Sequence, residues 1–92
     1  MNRNTIAKIE EISRVLACEK SASEIKNFII EMLTQSELET LSKRWRILEM
    51  LNEGRTQRDI AKELKVSLCK VTRGSKILKN KTSIAVKYIK GE

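Results

Sequence analysis

Apolar residues recur at spacings of three and four along almost the whole chain, and no proline interrupts them. From Thr5 to about Glu19 the stripe is Ile6, Ile9, Ile12, Val15 and Leu16, with Lys8, Glu10, Glu11 and Arg14 opposite. Such spacing fits an amphipathic helix, since a strand would place apolar residues alternately. Ser21-Ala22-Ser23-Glu24 breaks the stripe and offers a capping box, in which a hydroxyl and a carboxylate three residues apart satisfy the free N–H groups of a new helix. Ile25, Phe28, Ile29 and Met32 continue it. Thr34-Gln35-Ser36-Glu37 repeats the device ahead of Leu38, Leu41, Trp45, Leu48 and Leu51, and Gly54 supplies a stop. Trp45, set among those leucines, is expected in the core.

Further on, Thr56 caps a short helix with Ile60, Ala61 and Leu64 inward, and Lys65-Val66-Ser67 makes a turn. Leu68 to about Lys79 forms the next helix around Val71, Gly74 and Leu78, and Ile84, Ala85, Tyr88 and Ile89 mark a terminal one over residues 83–90. The expected fold is all-α, with about six helices in a single domain over residues 1–92. Residues 1–53 are expected to carry dimerisation and residues 56–79 a helix-turn-helix. The stripe from Ile6 to Leu16 has too few partners in so short a chain, so it reads as the surface of an intertwined homodimer.

Charge separates the two halves. Residues 1–53 hold 8 Lys or Arg against 9 Glu, a net of −1, whereas residues 54–92 hold 11 against 3 acidic residues, a net of +8. A basic half beside a near-neutral one is the electrostatic footprint of a nucleic-acid reader joined to an assembly region. Histidine is absent and the only cysteines are Cys18 and Cys69, so zinc-finger spacing, a Cys-His nucleophile and a Ser-His-Asp triad are all missing. The chain is not expected to be an enzyme, and no metal or catalytic cofactor is expected. Two isolated thiols fit a reducing cytoplasm. The first residues run into a charged amphipathic stretch, so neither a signal peptide nor a membrane span is expected.

In the segment TQRDIAKELKVSLCKVTRGSKIL, small Ala61 lies where two helices would cross, and Ile60, Leu64, Val66 and Val71 anchor the pair. Lys65 occupies a turn position that usually needs φ > 0, which costs a residue bearing a side chain roughly 1 kcal/mol. If Ser67 caps the second helix, Leu68, Cys69, Thr72, Arg73 and Lys76 form one exposed stripe without carboxylates, able to enter a major groove. Thr72 can hydrogen-bond a base edge and Leu68 can meet a thymine methyl, while Arg58, Lys62, Lys76 and Lys79 neutralise phosphates. Gln57 and Ser67, at the starts of the two helices, complete the expected DNA-contacting set.

From about Met32 to Lys79 these residues resemble the tryptophan repressor family. The resemblance rests on Leu33-Thr34 leading into Ser36-Glu37, on Arg44-Trp45-Arg46-Ile47, on Thr56-Gln57-Arg58-Asp59-Ile60, and above all on Val71-Thr72-Arg73-Gly74-Ser75 with Leu78-Lys79. It implies an intertwined homodimeric repressor of palindromic operator DNA, with L-tryptophan or a related small molecule as corepressor. It also implies that Arg44 and Arg73 sandwich the indole, that Leu33 and Thr34 line the pocket from the dimer partner, and that the backbone at Gly74 approaches the ligand. Arg58, Leu68, Cys69 and Thr72 would touch DNA, and Arg46 and Ser75 phosphate. Lys70 and Ile77 stand where the family has small hydroxyl residues, Glu31 stands where it has leucine, and the loop after Gly54 is one residue shorter. Other readings of the same residues are a regulator without ligand control, a replication-initiator-like DNA-binding unit, and a helical protein-interaction module with a basic face.

Overall fold

The computed structural model describes residues 1–91 and holds six helices: α1 (Arg3–Cys18), α2 (Ala22–Met32), α3 (Gln35–Asn52), α4 (Gln57–Leu64), α5 (Leu68–Lys79) and α6 (Ile84–Ile89). Among the described residues there is no strand, so the all-α expectation holds. The chain divides into two compact units, Met1–Ser36 and Glu37–Glu92.

In the first unit α1 begins two residues earlier than the apolar stripe suggests. The Asn2 side-chain oxygen accepts the Thr5 N–H at 2.8 Å, satisfying one of the donors that a helix start leaves free. Ser21 does the same for α2 by accepting the Glu24 N–H at 3.4 Å. Neither helix buries a residue fully. Ile12, Leu16, Ile25, Phe28 and Ile29 are half-buried, whereas Ile6, Ile9, Val15, Ile30 and Met32 are exposed. Cys18 is an exposed free thiol, as is Cys69 in the second unit.

The second unit is built around Ile47 and Met50 of α3, Ile60 of α4 and Val71 of α5, all buried. Leu51, Ala61, Leu64 and Val66 pack around them. Burying each of the large side chains is worth about 1.5–3 kcal/mol. Packing therefore ties the C-terminal half of α3 to the α4–α5 pair. The Gly54 N–H bonds to the Leu51 carbonyl and the Arg55 N–H to that of Met50, the paired closure of a helix ending in a left-handed residue; Gly54 supplies φ +88°.

Trp45 is not in this core. It is 45% exposed and Leu41 is 46% exposed, although Leu48 on the same stripe is buried. The reason is rotational. The α4–α5 pair meets α3 on the side of Ile47, Met50 and Leu51, so the stripe through Leu41 and Trp45 lies outside it.

Lys65 ends α4 with φ 56° and ψ 47°, the left-handed conformation expected of it, and the Val66 N–H reaches the Ala61 carbonyl at 3.1 Å. That backbone suits glycine better than lysine. Lys65→Gly is expected to raise stability by up to about 1 kcal/mol, the relieved strain being partly offset by glycine's looser unfolded chain; a thermal melt showing no gain would contradict this. Ile60→Ala should cost about 2–5 kcal/mol in urea denaturation, because it opens a cavity at the centre of the second unit.

Candidate nucleic-acid interface

Which α5 residues face outward depends on where the helix starts, and Ser67 sets that. Its hydroxyl accepts the Lys70 N–H at 3.3 Å, making Leu68 the first helical residue. At 100° per residue Val71 and Gly74 turn inward and are buried, with Ser75 and Leu78 half-buried beside them. Leu68, Cys69, Arg73, Lys76 and Lys79 are exposed, Leu68 to 47%, and Thr72 lies half-buried at the edge of the stripe. The helix contains no carboxylate. The outward face is thus cationic and hydroxyl-bearing with an apolar leading residue, which suits phosphates, base edges and a thymine methyl.

The first turn of α4 stands beside this face. Thr56 caps it, accepting the Asp59 N–H at 3.2 Å, and Arg58 and Lys62 are exposed. Gln57 is joined to α5: the Thr72 hydroxyl lies 2.9 Å from Gln57 Oε1 and 3.0 Å from the Leu68 carbonyl oxygen. A hydroxyl carries one proton and donates it to one acceptor at a time, so a base-edge acceptor would compete with both. Two residues singled out separately in the sequence, Gln57 and Thr72, are therefore one hydrogen-bonded pair across the turn.

Two arginines near the interface are held by carboxylates. Arg46 Nη1 of α3 lies 3.6 Å from Glu49 Oε1 and 3.7 Å from Glu53 Oε2, so a phosphate reaching Arg46 must compete with both acids. Arg55, which the sequence reading passed over, donates to Glu63 Oε1 at 2.8 Å. That hydrogen bond raises the Arg55 pKa above its ordinary value, with the charges of Glu63, Asp59 and Glu53 adding to the effect against desolvation. The pair fastens the loop after Gly54 to α4. No periodic signal links residues 55 and 63, because the contact exists only once the loop folds back.

Of the residues that the resemblance places around a ligand, Leu33 ends α2 with its N–H on the Ile29 carbonyl, and Thr34 follows it in the first unit. Arg44 and Arg73 are exposed on α3 and α5 of the second unit, with Lys70 exposed and Ile77 half-buried on α5. Gly74 is buried, and its missing side chain has a packing cause. A Cβ built there would lie 2.6 Å from Ile47 Cγ2 and 3.4 Å from Leu51 Cδ1, so α5 approaches α3 as closely as only glycine permits. The signal for this was in the sequence: a lone glycine within a helical pattern costs about 1 kcal/mol relative to alanine, and a close approach is a usual reason for it.

Residues 7–89 match the family model described as Trp repressor protein. Two curated proteins called Trp operon repressor homolog, from Xylella fastidiosa strains M23 and Temecula1, are each 39% identical to this chain over 67 residues. The aligned stretch covers 72% of this chain and 73% of each relative. No solved structure gives a significant match.

Because the γ-methyl of Ile47 sits on a branched carbon and cannot swing aside, Gly74→Val should destabilise the protein by about 2 kcal/mol or more. Gly74→Ala should cost less, since alanine recovers about 1 kcal/mol of helix propensity. Adding Ile47→Ala, which removes the clashing methyl, should make Gly74→Ala cheaper than in the parent; additive costs in urea denaturation would refute the close-contact account.

Proposed function

The chain belongs to the Trp repressor protein family, and on that premise we propose that it is a transcriptional repressor that binds operator DNA as a homodimer through α4 and α5. The observation that carries the reading is the carboxylate-free outer face of α5, with Leu68, Cys69, Thr72, Arg73, Lys76 and Lys79 held outward by the burial of Val71 and Gly74. In this proposal α4, the turn at Lys65 and α5 act as the helix-turn-helix. Leu68 and Thr72 address base edges, with Gln57 holding the Thr72 hydroxyl until the groove supplies an acceptor, and Arg58, Lys62, Lys76 and Lys79 take phosphates.

Homodimerisation is supported by exposed apolar surface on each of the two units. Ile6, Ile9 and Val15 of α1, Ile30 and Met32 of α2, and Leu41 and Trp45 of α3 are all exposed. So much large apolar side chain on a chain of 92 residues marks a protein-protein surface. Helix-turn-helix dimers in general, the Trp repressor among them, read half-sites about one helical turn apart, so the operator is expected to be palindromic with that spacing.

The corepressor is proposed to be L-tryptophan or a related amino acid. Arg44 and Arg73 would hold it: planar guanidinium groups stack on a flat indole and pair with a carboxylate. Lys70 adds a cation on the same helix as Arg73, which suits an anionic ligand. Ile77 has no polar atom to offer an ammonium group, which favours as a second reading a repressor that works without tryptophan.

The experiment is operator selection from random duplexes followed by anisotropy titration with and without tryptophan. A palindrome should emerge, and tryptophan should tighten its binding by preferring the DNA-competent state. Arg58→Glu and Thr72→Glu should abolish operator preference. Selection of no sequence would reject the DNA-reading proposal; an operator affinity indifferent to tryptophan would reject the corepressor and leave the ligand-independent repressor.

A further inference from the structure

Beyond the α5 face, the second unit carries another basic surface, of which the roles above use only Lys79. The end of α5, the link after it and one side of α6 line an open cleft of about 540 Å³ in which Lys79, Lys81, Lys87 and Lys90 all take part, together with Thr82 and Ser83. Among the described residues no acidic one lines it. Indeed no Asp or Glu occurs anywhere between Glu63 and Glu92, a stretch that includes eight lysines and arginines. All four cleft lysines are exposed, and none of them is within 4 Å of a carboxylate among the ion pairs of the described residues.

These lysines are not on a loose tail. Val86 of α6 is buried, Ser83 caps the helix by accepting the Val86 N–H at 3.3 Å, and the Asn52 side chain of α3 donates to the Ile89 carbonyl at 3.5 Å. The link from α5 is also fixed, since Asn80 Oδ1 accepts both the N–H and the hydroxyl of Thr82, at 3.0 and 2.7 Å. Four cations held around one open concavity, none of them in an ion pair among the described residues, repel one another, and the field they sum to favours a polyanion. Lys79 belongs to both surfaces, so the cleft continues the outward face of α5.

We propose that this cleft takes backbone phosphates of the DNA duplex alongside the segment read by α5, with Lys81, Lys87 and Lys90 as the contacting cations. The inference rests on the DNA-reading proposal and extends its footprint beyond the helix-turn-helix. Phosphate contacts carry no sequence information, so the cleft would add affinity and salt dependence and leave operator choice untouched.

The test is the salt dependence of binding to a fluorescein-labelled duplex of random sequence, comparing the 92-residue chain with a variant carrying Lys81→Gln, Lys87→Gln and Lys90→Gln. Each phosphate contact contributes about 0.9 to the log-log slope, so the variant's slope should be shallower by roughly 2–3 for each protomer bound, and by about 5 for the homodimer. Between 50 and 200 mM salt the wild type should then lose up to about 40-fold more affinity per bound protomer than the variant, a factor that is squared for the homodimer. A control with Lys8→Gln, Lys20→Gln and Lys26→Gln removes the same net charge from the other unit and should keep the wild-type slope. Circular dichroism and urea denaturation report whether each variant folds as the wild type does, which substitution of exposed lysines should allow. A steep wild-type slope left unchanged by the cleft variant overturns this inference alone, as does an equal loss in the control. A wild type that does not bind duplex DNA at all overturns the DNA-reading proposal and this inference with it.

Discussion

The approach of α5 to α3 at Gly74 and Ile47 governs the geometry of the second unit. Ile47 Cγ2 occupies the space in which a side chain at residue 74 would stand, and with Met50, Ile60 and Val71 it forms the buried centre. Helix axes come this near only where a side chain is missing from the contact. Once that contact is made, the rotation of α5 about its own axis is fixed, and with it the set of residues turned away from the core. The cationic stripe is therefore a consequence of burial on the opposite side.

Charge placement divides along the same line. Three acidic residues of the second unit, Glu49, Glu53 and Glu63, hold Arg46 and Arg55 and lie on α3, the loop after it and α4. No carboxylate lies on α5 or α6. Arginines near the core edge thus act as fasteners between neighbouring segments, while cations on α5 and around α6 keep their charge available to a partner. Exposed pairs such as Arg55–Glu63 contribute little to stability because water screens them, but they restrict where a loop can lie. The loop they restrict is the one that presents Thr56, the cap of α4.

Much of the helix framework was legible because its signals are local. Ser21, Thr56 and Ser67 are each both the residue type and the geometric cap, and Gly54 and Lys65 take the left-handed backbone that their positions require. Cap and stop chemistry involve residues three to five apart, which a sequence displays directly. Trp45 was misplaced because amphipathic spacing shows that a face is apolar without showing what covers it. The stripe through Leu41, Trp45 and Leu48 is continuous in sequence, yet only its last member is buried in the chain by itself. The Gln57–Thr72 and Arg55–Glu63 contacts were illegible for a related reason: each joins residues on opposite sides of a turn, and nothing in either residue names its partner.

By itself, the sequence determined the number of helices, the caps at Ser21, Thr56 and Ser67, the concentration of positive charge in residues 54–92 and the absence of acid from α5, since all of these depend on composition and short-range hydrogen bonding. The lone glycine at residue 74 of a helical pattern also pointed to a close approach there, without naming what approaches. Only the tertiary structure decided that the contact is Ile47, that α3 shares its core with α4 and α5, that Trp45 stays outside it, and that Lys79, Lys81, Lys87 and Lys90 surround one cleft. Those outcomes depend on the rotation and distance between packed helices, which are set by side chains far apart in the chain meeting at close range.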